Sequence, residues 1–195
     1  KKMMDVDINA TLENLRNALI PALGFSLLLR HDELSHISLA HMTLCKEGIK
    51  FLIPSSKTDV FRNGRFVFLA RQSGQISVFD LLMKFISKAD LKIGENKFLF
   101  CEIRKIQDKV VLDGSRKLSY SKFLEIIRNK AVEIGLNPNL YGTHSNRSGG
   151  ATTLASRVTP FELMVSGRWA DPRSINNYVE IDKERRFDIS KSMFV

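Results

Sequence analysis

THSNRSGGATTLA at residues 143–155 and GRWADPRSINNYVE at residues 167–180 carry the clearest local signals in this chain. The first stretch predicts a helix that begins with HSNRSGG and is capped by Thr143. In the second, Asp171 is followed directly by a proline, which predicts the start of a helix that carries Tyr178. A Thr-Pro-x-Glu sequence between the two predicts a capping box. We therefore expect three short helices in the last third of the chain.

His144 and Arg147 stand three positions apart in the first turn of the helix predicted after Thr143. Side chains at this spacing share a face, and the free backbone N–H groups of a helix start favour an anion. The pair therefore suggests a phosphate-binding site, although a surface arginine beside a packed histidine gives the same pattern. Gly149 and Gly150 weaken the helix and indicate that another backbone approaches it closely.

Trp169 lies 22 residues after Arg147, and Tyr178 lies nine residues after Trp169. The combination of His-x-x-Arg, a Trp after a Gly-x step and a Tyr nine positions later resembles the catalytic signature of the tyrosine recombinases, the phage-integrase-like enzymes. It resembles their variant with Trp at the second His position. The resemblance implies an enzyme that cleaves and rejoins DNA strands through a 3′-phosphotyrosine, with no cofactor and no metal.

Earlier positions fit the same pattern. Arg30 in RHDEL resembles the family's first arginine, with Glu33 as the acid that follows it three residues later. The family also carries a lysine on a hairpin of a small sheet, which protonates the leaving 5′ oxygen. Lys57 in SSKTDVFRNGR is the candidate for this lysine, with Lys50 and Arg65 as rivals.

The implied roles suit the chemistry of each side chain. Tyr178 is implied as the nucleophile that forms the covalent bond to DNA. Arg30 and Arg147 are implied to hold the nonbridging phosphate oxygens, because a planar guanidinium can bind two oxygens at once and stays charged. His144 is implied to bind the phosphate or accept the tyrosine proton, and Trp169 to donate its indole N–H.

The rest of the chain predicts an α+β fold that is mostly α-helical. Apolar residues at helical spacing from Ile8 predict a first amphipathic helix, kinked at Pro21 and interrupted at Gly24. A second short helix is expected around Glu33 to Ile37. MTLCKEG, IKFLIPSS and RFVFLA predict a small three-stranded antiparallel sheet. VFDLLMKFISKA and SYSKFLEIIRNKAVEIG predict further helices, the second ending at Gly135.

Composition limits the class of protein. The 195 residues include 30 Lys and Arg against 21 Asp and Glu, a formal charge of +9 that attracts polyanions, namely nucleic acid, acidic membranes or acidic proteins. Cys45 and Cys101 are expected to be buried free thiols in an intracellular protein, in the cytoplasm, nucleoid or nucleus where its target DNA lies. The sequence has no apolar run long enough for a membrane helix. His31, His36 and His41 do not share a helix face, so no metal site is predicted.

We expect residues 1–195 to form one catalytic domain, with the family's N-terminal core-binding domain absent from this chain. The predicted partners are double-stranded DNA and further copies of the chain, as a tetramer on DNA, with the apolar C-terminal tail at Phe187 and Phe194 docking on a neighbour or on its own domain. The resemblance implies DNA integration, recombination or transposition by a mobile element.

Alternatives are a type IB topoisomerase-like nicking and closing enzyme, which His144 argues against, and a domesticated DNA-binding module without catalysis.

Overall fold

The computed structural model describes residues 10–54, 64–72, 77–106, 109–179, 186–187 and 190–192. The elements within these ranges include six α-helices and five strands, which gives the predicted α+β fold with helices predominating. The helices are α1 Leu12–Ser26, α2 His31–Ser35, α3 Val78–Lys88, α4 Tyr120–Glu133, α5 Ser145–Ala155 and α6 Pro160–Gly167. The strands are β1 Met42–Cys45, β2 Gly48–Ile53, β3 Arg65–Ala70, β4 Cys101–Ile106 and β5 Lys109–Lys117. Short 3₁₀ helices cover Leu39–His41, Pro138–Leu140 and Pro172–Asn177.

The predicted three-stranded sheet is confirmed. β1, β2 and β3 are antiparallel in that order, and Phe51 of β2 lies between Met42 and Val67 of its neighbours. One face of the sheet is buried, because alternate residues of a strand point the same way. Phe66 and Phe68 are exposed on β3. Lys57 follows β2 in sequence but lies outside the described residues, so its predicted position is not tested.

Helix α1 is more regular than its sequence predicts. It continues from Leu12 to Ser26 without a break, so the expected interruption at Gly24 is wrong. Burial explains the difference, since most of the helix lies in the core and tertiary packing outweighs the low helix propensity of Pro21 and Gly24. α2 ends at Ser35, so Ile37 lies beyond it.

A hairpin formed by β4 and β5 was not predicted from the sequence. The two strands are antiparallel, with an irregular register between Cys101 and Glu102. Buried Arg16 of α1 ties the hairpin to the core by donating from Nη1 to the Cys101 carbonyl at 3.1 Å. Cys101 is buried as expected, and burial raises its thiol pKa to about 11. Cys45 is also free but only half-buried, so the expectation of a buried thiol is wrong there.

The last third of the chain has the three predicted short helical segments, with differences at their starts. α5 begins at Ser145 with His144 as its N-cap, and no side chain caps it, so the Thr143 cap is wrong. The Thr159–Glu162 capping box at the start of α6 is confirmed. Asp171 caps the last segment as predicted, but this is a 3₁₀ helix that ends one residue before Tyr178.

Two apolar clusters make up the described core. The larger one joins α1, the three-stranded sheet, α3 and α4. The smaller one consists of Leu28, Ala151, Leu163 and Trp169, with Tyr178 among the half-buried residues packed against it. A Cβ on Gly150 would lie 2.3 Å from the Phe25 carbonyl oxygen, which confirms the expected close approach of a backbone to α5. No helix in the described ranges has the length and apolar character needed to cross a membrane.

Candidate active site

Arg30 and Glu33 meet where α2 begins. Arg30 is the N-cap residue of α2, and its backbone N–H donates to Glu33 Oε2 at 2.8 Å. Its Nη1 also donates to Glu33 Oε1 at 3.2 Å. The Arg30 side chain is 17% exposed whereas that of Glu33 is 1% exposed. The structure therefore brings these two predicted residues together, with the carboxylate inside and the guanidinium at the surface.

Arg147 lies in the first turn of α5 and is fully buried. Its Nη1 donates to the Leu28 carbonyl and its Nη2 to the Gly167 carbonyl at 2.5 Å. Glu33 Oε2 lies 3.9 Å from Nη1. Burial and the positive charge of Arg30 lower the pKa of Arg147 to about 10, so the guanidinium remains charged at neutral pH.

Trp169 and Tyr178 cover the Arg147 guanidinium. Arg147 Cζ lies 4.5 Å from the centre of the Trp169 ring and 5.1 Å from that of the Tyr178 ring. The two rings are 5.3 Å apart and tilted by 50°. Trp169 packs so closely on Gly167 that a Cβ there would lie 1.8 Å from the indole ring. This glycine therefore allows the indole to lie beside Arg147.

Two buried N–H donors in this cluster have no hydrogen-bond acceptor among the described residues. They are Arg147 Nε and Trp169 Nε1. A buried N–H without an acceptor is costly, and exceptions of this kind need an explanation. The pair presents one charged and one neutral donor beside the Tyr178 ring, a combination suited to an anion.

Arg168 was missed by the sequence analysis. It follows α6 directly, and its side chain is 4% exposed. Arg168 Nη2 donates to Glu33 Oε2 at 2.8 Å, so the buried carboxylate is shared between Arg168 and Arg30. Burial raises the pKa of Glu33, but Arg168 and then Arg30 outweigh burial and hold that pKa below its usual value. An arginine in a polar stretch gives no sequence signal for such burial.

The remaining predicted site residues stand apart or are not described. His144 is exposed at the start of α5, and no hydrogen bond, ion pair or ring contact joins it to the other candidates that the structure describes. Lys57 lies outside the described residues. Of its rivals, Lys50 lies 4.5 Å above the Phe66 ring, and Arg65 is the first residue of β3.

The described residues contain no cluster of metal ligands, and they include only part of the C-terminal tail. Among them, no group of three or more His, Cys, Asp and Glu side chains is arranged to hold a metal ion. Phe187 of the tail is exposed. Phe194 and the other apolar residues of the tail lie outside the described ranges, so its predicted docking is not tested.

Solved structures show what this fold is similar to. The XerH site-specific recombinase, in a post-cleavage complex with its palindromic difH substrate, matches 97% of this chain with a TM-score of 0.69 and 17% identity. The XerA recombinase matches 93% with a TM-score of 0.67 and 13% identity. The chain has the fold of a tyrosine recombinase catalytic domain.

That fold is also present in the Tn1549 transposon integrase, which matches 92% of the chain with a TM-score of 0.61 and 12% identity. The chain spans about half the length of these recombinases, covering 48% of XerH, 57% of XerA and 59% of the integrase. No family model matches the sequence. No curated protein matches it either.

The side chains of the cluster bring together several donors and one hydroxyl group. Arg30 and Arg147 supply two fixed cations, Trp169 a neutral donor, and Tyr178 a hydroxyl on the ring beside them. Fixed donors aimed at developing negative charge are a large source of rate acceleration. The cluster therefore combines cationic and neutral donors, which suit an anionic ligand, with a tyrosine ring.

Proposed function

We propose that this chain is the catalytic domain of a site-specific DNA recombinase or integrase. It cleaves and rejoins double-stranded DNA through a 3′-phosphotyrosine on Tyr178. The observation that carries the proposal is the packing of the Tyr178 and Trp169 rings over the Arg147 guanidinium, where Arg147 Nε and Trp169 Nε1 have no hydrogen-bond partner among the described residues. Cellular DNA is the substrate, so the protein works in the cell compartment that holds it.

Each step of the reaction has a candidate residue. The Tyr178 oxygen attacks the phosphorus as its proton passes to His144, and the bond from phosphorus to the 5′ oxygen breaks. Lys57 protonates that leaving oxygen. Arg30, Arg147 and Trp169 Nε1 stabilise the nonbridging oxygens, as donors of this kind do in other transferases. Attack by a 5′ hydroxyl reverses these steps and reseals the strand, because the phosphotyrosine retains the ester bond.

Charge and the matching structures support DNA as the partner. A net charge of +9 attracts the phosphate backbone. XerH was solved bound to difH, the Tn1549 integrase bound to transposon right-end DNA, and Flpe in a Holliday junction complex. We extend this mode of binding to the present chain, and propose that it acts as a homotetramer on DNA.

One observation favours a second candidate, a DNA-binding module without catalysis. Both terminal nitrogens of Arg147 donate to backbone carbonyls, so part of its donor capacity is used within the protein. The catalytic function requires either that the remaining N–H groups of this buried guanidinium become accessible to the phosphate or that one carbonyl is released on DNA binding. A binding module requires neither change.

A covalent-trapping assay distinguishes the two candidates. The protein, and the whole gene product where that is longer, is incubated with nicked duplex oligonucleotides that have a randomised central segment. Release of a short strand from the nick traps any phosphotyrosine. We expect a covalent complex with the wild type and with Tyr141→Phe, and none with Tyr178→Phe. DNA binding without a covalent complex in any of the three proteins would favour the binding module.

A further inference from the structure

Arg168 occupies a backbone position that arginine does not favour. Its φ is +56° and its ψ is +38°, in the left-handed region where glycine fits without strain and other residues rarely lie. Strained residues persist where the surrounding structure holds them, and they concentrate at functional sites. The contacts of the Arg168 side chain therefore have to offset the unfavourable free energy of its backbone conformation.

That side chain connects the two halves of the site. Arg168 Nη1 donates to the Leu27 and Ser166 carbonyls at 3.2 and 3.0 Å. Its Nη2 donates to the Leu28 carbonyl at 2.8 Å, the same carbonyl that accepts from Arg147. Arg168 thus holds the segment between α1 and α2 against the end of α6.

Glu33 completes the connection to Arg30. Arg168 donates to both Glu33 oxygens, from Nη2 at 2.8 Å and from Nε at 3.4 Å. Arg30 donates to the same two oxygens from its backbone N–H and from Nη1. Because a guanidinium binds a carboxylate as a rigid fork, Arg168 fixes the plane of the Glu33 carboxylate and hence the direction of Arg30.

We infer that Arg168 is a positioning residue for strand cleavage, which orients Arg30 through Glu33 and Arg147 through the shared Leu28 carbonyl. This inference rests on the proposed function. It assigns no contact with DNA to Arg168, which is buried. Without Arg168, Arg30 and Arg147 are the cations among the described residues that still face the buried Glu33 carboxylate, and both are drawn toward it and away from the phosphate.

The glycine variant Arg168→Gly provides the sharpest test. It removes the side chain and suits the left-handed backbone, so loss of folding is not expected from strain. Arg168→Lys keeps the charge but cannot form the fork. The matched control is Arg157→Gln, which removes one exposed positive charge outside this network. Covalent-complex formation is followed at saturating DNA in single turnovers, together with the dissociation constant for the same DNA.

We expect Arg168→Gly to bind DNA as the control does and to form the covalent complex about 100-fold more slowly, the cost of misplacing reactive groups by about an ångström. Arg168→Lys should fall between the two. When the solution is acidified, Arg168→Gly should also stop cleaving DNA at a higher pH than the wild type does. The variant lacks the guanidinium that helps to hold Glu33 ionised, and among the described residues Arg30 and Arg147 are the cations that still face it.

The double variant Arg168→Gly/Glu33→Gln separates positioning from charge balance. It removes the buried carboxylate and should not recover the cleavage rate. Recovery of cleavage would mean that Arg168 only neutralises Glu33, and would overturn the inference. A wild-type cleavage rate in Arg168→Gly, or a loss in DNA affinity alone, would overturn it too.

A direct titration keeps this result separate from the proposed function. The Glu33 carboxyl is followed by carbon NMR in wild type and in Arg168→Gly, without DNA. We expect its titration to move to higher pH in the variant, and an unchanged titration would overturn the inference. A wild-type protein that forms no covalent complex would contradict the proposed function, and the titration alone would then judge the coupling of Arg168 to Glu33.

Discussion

Glu33 is 3% exposed and faces three guanidinium groups, those of Arg30, Arg147 and Arg168. Removing one partner from a buried charge network leaves the others uncompensated, which is more damaging than the loss of a surface ion pair. The three arginines come from the start of α2, from α5 and from the end of α6. Glu33 therefore links elements that are distant in sequence.

We predict that Glu33→Gln lowers the free energy of unfolding by about 3 kcal/mol at neutral pH. The pKa of Glu33 is below its unfolded value of 4.5, so its stabilising effect is complete above that pH and is lost as the pH falls through the folded pKa. The difference between wild type and variant should therefore shrink below about pH 4.5. Urea denaturation at a series of pH values measures it, and a difference that stays constant would contradict the prediction.

Trp169 is the only tryptophan in the chain, so its fluorescence reports on the site. We predict that Gly167→Ala displaces the indole, because the new Cβ would lie 1.8 Å from it, and shifts its emission to longer wavelength. Overpacking should also destabilise the protein by about 1–3 kcal/mol. Gly142→Ala is the control, since no atom lies within 4 Å of its added Cβ. Equal spectra for the two variants would count against the packing described here.

Five of the residues singled out from the sequence, Arg30, Glu33, Arg147, Trp169 and Tyr178, lie in one connected cluster. They were found through the resemblance to the tyrosine recombinase signature, which depends on residue types at fixed spacings in the sequence. Arg168 could not be found in this way, since its burial depends on carbonyls and a carboxylate more than 130 residues away in the sequence.

Of the helices, α6 has the clearest start signal in its own sequence, the capping box of Thr159 and Glu162. Thr159 Oγ1 accepts from the Glu162 N–H at 3.2 Å, and Glu162 accepts in turn from the Thr159 N–H at 2.8 Å. α6 ends at Gly167, directly before Arg168 and Trp169. The cap therefore supports the helix that leads into the site.

We predict that Thr159→Ala lowers the free energy of unfolding by about 1 kcal/mol, because the helix loses its N-cap. Thr153→Ala is the matched control. Thr153 is an exposed residue within α5 whose hydroxyl bonds back to the Gly149 carbonyl, and replacing it removes no cap. Chemical denaturation followed by circular dichroism measures both variants. An equal loss of stability in the two would show that the capping box contributes nothing.

The hairpin of β4 and β5 shows where prediction from pattern fails at this scale. Val110 and Val111 are both exposed, and Gly114 lies within β5. The strand therefore shows neither the alternation nor the apolar run that sequence analysis can detect. Arg16 of α1 contacts the start of β4 at the Cys101 carbonyl, 85 residues away in the sequence, and no local pattern reveals such a contact.

At the scale of the whole molecule, the fold is shared with recombinases that are no more than 18% identical. The same fold is therefore compatible with very different side chains. The sequence predicted the helices and the three-stranded sheet, because helix starts and apolar periodicity are local properties, but it did not predict the β4–β5 hairpin. The roles of individual residues depend on their positions relative to DNA, which no local property specifies.

The net charge of +9 belongs to this scale as well. We predict that the logarithm of DNA affinity falls linearly with the logarithm of salt concentration, with a slope of about −0.9 for each phosphate neutralised. Fluorescence anisotropy with labelled duplex DNA measures the slope. Affinity that does not change with salt would contradict a binding mode based on phosphate contacts.

The most direct test of the central claim is to locate the covalent bond to DNA. The chain contains three tyrosines, Tyr120, Tyr141 and Tyr178. After trapping on nicked duplex DNA, nuclease and protease digestion followed by mass spectrometry identifies the peptide that retains a nucleotide. We predict a nucleotide on the phenolic oxygen of Tyr178 and on neither other tyrosine. A nucleotide on Tyr120 or Tyr141, or cleaved DNA with no adduct on the protein, would contradict the claim.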